Sequence, residues 1–586
     1  MVSTTLTKAN FFKYLKEDKF TGGTYKANYE VVIDARIVDW EFRQIMNVTF
    51  QELVIVRGVD IKSGLIFKGC NFKKGIAFNK VSSTGFNSDF NSLNASVLLS
   101  ACQSTFVQFE SNCDFERGVK VVNNCEIEHF KFYHSRIKGE GVFISESKTK
   151  HIEIGQSSST LRISNVKVNG TIRVSSSIGN ISIIKSTIID SVYFWNIECP
   201  ISFTLNHNTF EDTFDIRASR IKGFFIHGDT FKRKAVFENR DDSDQNIITS
   251  LHEIYIAQAD FIEGFEFDGM SKELVSLTLP LSPNFTGVLR FIDWKIKETK
   301  LSGINEGLKL VFKKTSFKRL LFIDFSNSVD IIFDTSGAEN KLFKVANDPD
   351  SSIIASDSNF GPTRFNEFDF DSFDFINIIN ASFSDIIATN VNWFSDNKIQ
   401  IESPEIESSK NFKRKRELYR QIKQSLQSQG NQIDSLTFRA REMRAYRNEL
   451  KAQEKENNTQ LGKKYKWTDK LIMTVNQTNN YGLSWWKPVW IAALITLVFY
   501  IIQLPLFADE IQYYPAKNWE EVKLTLCAFW NHFEVYWQML NPARKFQSVY
   551  GANGKALIYF LDFSHRLILG VLIFQIIKAF RRLGSK

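Results

Sequence analysis

Proline is scarce in this 586-residue chain, with 10 in all, and cysteine scarcer still, with six. Cys70, Cys102, Cys113, Cys125, Cys199 and Cys527 form no CxxC pair, and no Cys/His cluster has zinc spacing, which excludes a zinc module. The opening segment, MVSTTLTKANFFKYLKEDKF, lacks the apolar core of a secretory signal. The long N-terminal part is therefore expected in a reducing cytosol, with its thiols free. A phosphate loop is missing as well: GANGK, Gly551–Lys555, lacks the GxxxxGK[ST] spacing and reads as a turn between two hydrophobic segments.

What the chain does have is phenylalanine. Its 54 Phe recur singly between polar residues, in a composition 43% hydrophobic and 24% charged that calls for several folded domains. The string SRIKG occurs at Ser135–Gly139 and again at Ser219–Gly223, 84 residues later, or eight steps of about 10.5. Between the copies each step offers one apolar residue, a short polar turn and an apolar-x-apolar strand. Ile137 precedes Val142 and Ile144, Ile178 precedes Ile181 and Ile183, and Phe210 precedes Phe214 and Ile216. Period two puts both strand residues on one face, and two or three steps would close one coil of a solenoid. The pattern fades after Asp241 and returns at SFKRLLFIDF and NEFDFDSFDFINIINASF. The expected fold is mainly β: a cap over residues 1–30, a β-solenoid (β-helix) over 31–405, then helices. A β-sandwich or barrel is the competing reading.

Catalysis by the solenoid would need carboxylates gathered on one face, and here the acids are scattered through turns such as ENRDDSD, Glu238–Asp244. Glu126, Glu128, His129 and His134 resemble a metal set only on paper, because strand alternation sends Glu128 and His129 to opposite faces. The expectation is no catalytic residue, no metal and no cofactor.

From Lys410 to Lys455 thirteen Lys/Arg stand against five Asp/Glu, holding much of the chain's net charge of +8. A basic segment before hydrophobic spans points to an anionic membrane surface, and no nucleic acid partner is expected. Phe412, Tyr419, Ile422 and Leu426 form one helical stripe; after Gly430–Asn431 come Ile433, Leu436, Ala440, Met443 and Leu450. Residues 410–456 thus read as an amphipathic αα-hairpin, packed on itself or on neighbouring subunits of a homo-oligomer.

Residues 457–586 read as a membrane domain. Spans are expected over about 489–507 and 556–577, long enough to cross lipid as helices. Trp485, Trp486, Lys487 and Trp490 at one end, with Arg581 and Arg582 after the second span, have the character of interface anchors. Residues 519–540 carry Asn531, His532 and Glu534 and are expected to form a re-entrant or interfacial helix. Two crossings then keep Lys463, Lys464, Lys466, Lys470 and the basic C-terminus on the cytosolic side. Asp562, His565 and Arg566 fall inside the second span, with Asp562 and Arg566 four apart on one helical face. Charged groups at that depth line a protein interior or a water-filled pore, or else mark the headgroup level as an anchor.

From Asn411 onward the chain resembles bacterial membrane-anchored proteins of the pentapeptide-repeat type. The resemblance is carried by YRQIKQ (Tyr419–Gln424), Gly430–Asn431, the Glu442–Arg447 run, NYG (Asn480–Gly482), Asn541–Pro542 and the final helix from Asp562 through QIIKAFRR. It implies a bacterial inner-membrane protein with a cytosolic β-helix, some of whose relatives look like two-span ion channels with a pore helix. The chain departs from that pattern in lacking both the strict Ala-(Asp/Asn)-Leu-x-x repeat and a TVGYG-type filter, of which SVYGANG (Ser548–Gly554) is only a faint echo. The expected function is a membrane-tethered solenoid that binds or senses a protein or other ligand and is coupled to a channel-like or membrane-permeabilising region. A passive scaffold and a carbohydrate-active β-helix enzyme are the alternatives.

Overall fold

The computed structural model describes residues 4–17, 19–20, 23–34, 43–61, 65–83, 95–110, 113–133, 135–137, 141–155, 160–175, 178–238, 251–338, 351–400, 409–457, 467–508, 510–511, 517–550 and 556–581. The chain divides into two compact units, Met1–Gln400 and Ile401–Lys586. His134, Arg582 and the Gly551–Lys555 turn singled out in the sequence lie outside the described residues.

The first unit is a β-solenoid of about 15 turns, mainly β as the repeat requires. Along one side Ile152 pairs in parallel with Ile172, Ile172 with Val192, Val192 with Phe214 and Phe214 with Ala235, steps of 20, 20, 22 and 21 residues. Two of the short sequence steps therefore make one coil. A coil has four sides, shown by Asn180–Ile184, Thr187–Ile188, Val192–Trp195 and Glu198–Cys199. Arg136–Ile137 and Arg220–Ile221 both lie on the fourth side, so the 84-residue echo spans four coils.

Alternate residues point inward and stack with their counterparts above and below. The longest ladder runs Phe237, Phe267, Phe291, Phe312, Phe333 and Phe365, with successive ring centroids 5.1–5.8 Å apart. Each buried ring contributes about 1.5–3 kcal/mol by leaving water. The coil turns at residues held in the left-handed region: Glu146, Asn165, Lys185 and His207 have φ between 47° and 55°. Their backbone N–H groups donate to the next coil, Glu146 to Ser164 O and Lys185 to Asn206 O, so the neighbouring coil offsets the strain of each corner.

At three successive corners, Lys185, His207 and Gly228, the following residue points inward and caps a backbone N–H of the preceding coil. Ser186 Oγ accepts from Val166, Asn208 Oδ1 from Ser186, and Asp229 Oδ1 from Asn208, at 2.8–3.1 Å. Burial holds the Asp229 carboxyl up at about 7, against the three N–H bonds that favour its charge.

After Asp241 the coiling continues where the sequence pattern fades. Strands Asp260–Leu281 and Thr286–Asn305 run around corners, with register shifts between Phe261 and Phe265 and between Asp268 and Lys272 standing in for turns. At the N-terminal end α1 (Lys8–Lys16) is capped by Thr7 and buries Phe11 against Phe20 and Phe50. Paired strand begins at Thr4–Thr5 with Tyr25–Ala27, ahead of the expected start at 31.

The second unit is helical. Helices α2 (Ser409–Ser428) and α3 (Gln432–Asn457) form a hairpin around Gly430, whose φ of 77° suits the turn. The buried stripe of α3 keeps Ala440 and Leu450 of the expected set and adds Phe438, Ala445, Glu442 and Glu449, while Leu436 and Met443 are half-buried and Ile433 is exposed. Ion pairs displace the apolar register, Lys423 binding Glu442 at 2.8 Å and Arg416 binding Glu449 at 2.7 Å across the hairpin. Helix α4 (Trp467–Thr478) leads to α5 (Trp486–Phe507). The 519–540 segment is two helices rather than one: α6 (Trp519–Asn531) ends at His532, whose non-helical backbone opens α7 (Phe533–Met539). Helices α8 (Phe546–Tyr550) and α9 (Ala556–Arg581) complete the unit.

Candidate functional site

Helices α5 and α9 are both long and apolar enough to cross a membrane. They pack antiparallel: Ala492 meets Leu569 and Leu572, Thr496 meets His565, and Trp485 near the start of α5 lies 5.3 Å from Phe580 near the end of α9. Their buried face includes Thr496, Gln503, Asp562, His565 and Gln575, whereas Leu494, Phe560 and Phe563 on the outside are 63–67% exposed. Polar groups inside and large apolar groups outside reverse the pattern of a water-soluble helix pair.

The charged trio sits on the inward face and is joined by a fourth residue. Arg544, from the segment between α7 and α8, donates through Nη2 to Asp562 Oδ1. Arg566 donates through Nε to Asp562 Oδ2 at 2.6 Å, so both carboxylate oxygens are held by guanidinium groups. Arg544 Nη2 also lies 3.2 Å from His565 Nδ1, which places a lone pair there and the imidazole proton on Nε2, 3.0 Å from Thr496 Oγ1. Tyr550 donates to Gln503 Oε1 and lies 3.5 Å from Asp562 Oδ1. Arg544 Nη1 donates to the carbonyls of Met539 and Asn541. Thr496 lies 10 residues into α5, about 15 Å along its axis, so the His565 contact sits near mid-helix. All these partners belong to one chain.

The i, i+4 spacing anticipated the Asp562–Arg566 pair, but Arg544, Thr496, Gln503 and Tyr550 come from three other elements. Two nearby signals were in the sequence: the Asn541–Pro542 step marks the turn whose carbonyl Arg544 caps, and SVYGANG holds Tyr550.

Asn531, His532 and Glu534 do not join this cluster. Asn531 and Glu534 are exposed, Glu534 accepting from Gln538, while His532 lies 3.4 Å from Glu510 and against the ring of Phe507. Trp485, Trp486, Lys487, Trp490 and Arg581 are exposed, at the start of α5 and the end of α9, the two ends brought together by antiparallel packing.

Directly before α5, the NYG step is a strained joint. Asn480, Tyr481 and Gly482 all have left-handed φ, at 52°, 59° and 97°. Each non-glycine residue there costs about 1–2 kcal/mol, which surrounding contacts must hold. Arg444 of α3 donates to Asn480 Oδ1 at 3.0 Å, and buried Asn479 donates to Gln575 Oε1 of α9 at 2.7 Å. A continuous polar chain thus runs from the hairpin to α9.

On the solenoid, a shallow groove is crossed by a ladder from Asn71 through Gln103 and Glu126 to Lys148. His129 and His151 stack 4.8 Å apart beside it; burial, then the charge of His129, hold the His151 imidazole below its ordinary pKa. Among the described residues no three His, Cys, Asp or Glu gather as a metal set. Compared with protein families, characterised proteins and solved structures, the chain matches none.

Proposed function

We propose that this is a membrane-tethered recognition protein: a solenoid that binds a protein or other ligand without catalysis, coupled through its helical hairpin to a small membrane unit. The observation that carries the reading is the polarity of α5 and α9, with a charged core under two turns inside α9 and large apolar side chains outside. The polar chain from Arg444 through the NYG joint to Gln575 supports coupling, because a displaced hairpin would pull on α9. Ligand binding shifts the membrane unit to the extent that it favours one arrangement of this joint over another. In this reading the protein sits in a bacterial inner membrane, as the resemblance set out above implies, with solenoid and C-terminus cytosolic, and its copies assemble as a homo-oligomer whose membrane units together form a conducting or permeabilising path. In that path the Asp562 cluster is the gate, and opening it requires its ion pairs to exchange partners.

A second reading, a tether that never conducts, is favoured by the occupation of both Asp562 oxygens within one chain. Ion flux through liposomes holding the full-length protein separates the two. Flux altered by Asp562→Asn and Arg566→Leu supports the gate. No flux from wild type, with both variants folded and inserted, sinks it and leaves the tether. Protease accessibility in intact cells against inverted vesicles tests the orientation.

A further inference from the structure

The Asp562 cluster is rich in donors and short of acceptors. Two guanidinium groups, Arg544 and Arg566, face one carboxylate, and His565 is neutral in the tautomer its partners impose. One positive charge is left over at a place where Arg544 and Asp562 side chains are only 3% and 6% exposed. Arg544 Nε and Gln503 Nε2 are both buried donors with no acceptor among the described residues. An uncompensated charge and two idle donors inside an apolar helix pair cost far more than the same groups in water.

An open groove lies directly over this excess, lined by Arg544, Lys545, Gln547, Asp562 and Arg566. Its apolar rim is Tyr559 and Phe563, on the exposed face of α9. We propose that this groove binds a phosphate group, and that its occupant is the headgroup of an anionic phospholipid. Arg566, 28% exposed, faces the incoming phosphate with its side chain already oriented by Asp562. Both Asp562 oxygens are turned to guanidinium groups, which shields the phosphate from the carboxylate. The acyl chains lie along Phe563 and, deeper in the span, Leu567, with Tyr559 at the headgroup level. The lipid source rests on the membrane reading above; the phosphate site does not.

The test uses full-length protein in an uncharged detergent and follows its melting temperature with three additives. Short-chain phosphatidylglycerol at tenfold excess over its dissociation constant is expected to raise the transition of the helical unit by about 3–6 °C. Short-chain phosphatidylcholine, with a neutral headgroup, and inorganic phosphate are expected to raise it less. The Arg566→Gln/Lys545→Gln double variant is expected to lose the phosphatidylglycerol shift, Arg566→Lys to keep most of it, and Lys451→Gln on α3 to keep all of it. An equal shift from inorganic phosphate supports the site and overturns the lipid as its occupant. No shift from any additive, or an undiminished shift in the double variant, overturns the proposal. Alkaline extraction of wild-type membranes reads the membrane assignment separately: release of the protein removes that assignment and leaves the inorganic phosphate arm to judge the site.

Discussion

In the solenoid, Phe291 and Phe312 stack inside a wall faced by Lys, Glu and Asn; in the helical unit, Thr496, Asp562 and His565 are inside and Phe560, Phe563 and Leu494 are outside. The two regions differ most in what they turn outward, since the α5–α9 face that packs Ala492 on Leu569 and Leu572 also buries the polar groups. Water favours an apolar interior, which a parallel stack of coils supplies by repeating one inward position. Hydrocarbon offers outward-facing polar groups no partner, so they turn inward and pair with each other. Both regions also hold buried polar groups, on different terms. The solenoid's Ser186, Asn208 and Asp229 cap backbone N–H groups in a ladder, one rung per coil. The helical unit's cluster is built from side chains that come from separate elements and has no backbone repeat to fall back on.

The largest losses are expected where one member of a buried set is removed. In the solenoid, Phe291→Ala opens the ladder between Phe267 and Phe312, with an expected loss of about 3–5 kcal/mol in its urea transition. Arg544→Met strips Asp562 Oδ1 and the Met539 and Asn541 carbonyls of their donor while leaving the Arg566 pair, and is expected to cost about 1–3 kcal/mol, read from unfolding of the detergent-solubilised protein. Asp562→Leu added to it should recover part of that loss; no recovery would mean Arg544 acts through Met539 and Asn541 instead. Phe563→Ala, the same substitution as at Phe291 but on an outward face, should leave the detergent-solubilised protein's stability within about 0.5 kcal/mol of wild type. A comparable loss at Phe291 and Phe563 would contradict the reversed polarity.

The pH dependence is smaller and specific to the solenoid. Asp229 carries a folded pKa of about 7, above its unfolded value of about 3.9. The folded state therefore holds this proton more tightly. Its contribution to stability is full below pH 4, falls as pH rises from about 4 to 7, and is lost above that range. The difference in stability between wild type and Asp229→Asn should narrow by the same course; a difference independent of pH would refute the assignment. The smallest effect is expected at Ile433, exposed on α3 despite its place in the apolar pattern. Ile433→Ser should change hairpin stability by no more than about 0.5 kcal/mol, and a larger loss would mean that a further surface covers it.

Legibility followed the range of the forces involved. Apolar-x-apolar strands were readable because inward alternation is local, and so were both long apolar helices. The stretch just after Asp241 was fainter than the rest, because bulges in Asp260–Leu281 and Thr286–Asn305 stand in for the Asn and Ser turns on which the pattern depends. Elsewhere the corners accept Glu146, Lys185 and His207 as readily as Asn165, since the next coil, not the residue type, secures the left-handed backbone. The stripe of α3 misled because Glu442 and Glu449 are buried by ion pairs from α2, a cost that only the paired helix makes acceptable.

By itself the sequence determined the mainly β repeat, the two apolar helices and the Asp562–Arg566 spacing, all set by periods within a strand or a helix. Only the tertiary structure decided that two steps make a four-sided coil, and that Arg544, Thr496, Gln503 and Tyr550 close around Asp562 and His565. Those contacts join residues up to 69 positions apart, and their energy comes from desolvation and pairing that arise once the helices have met.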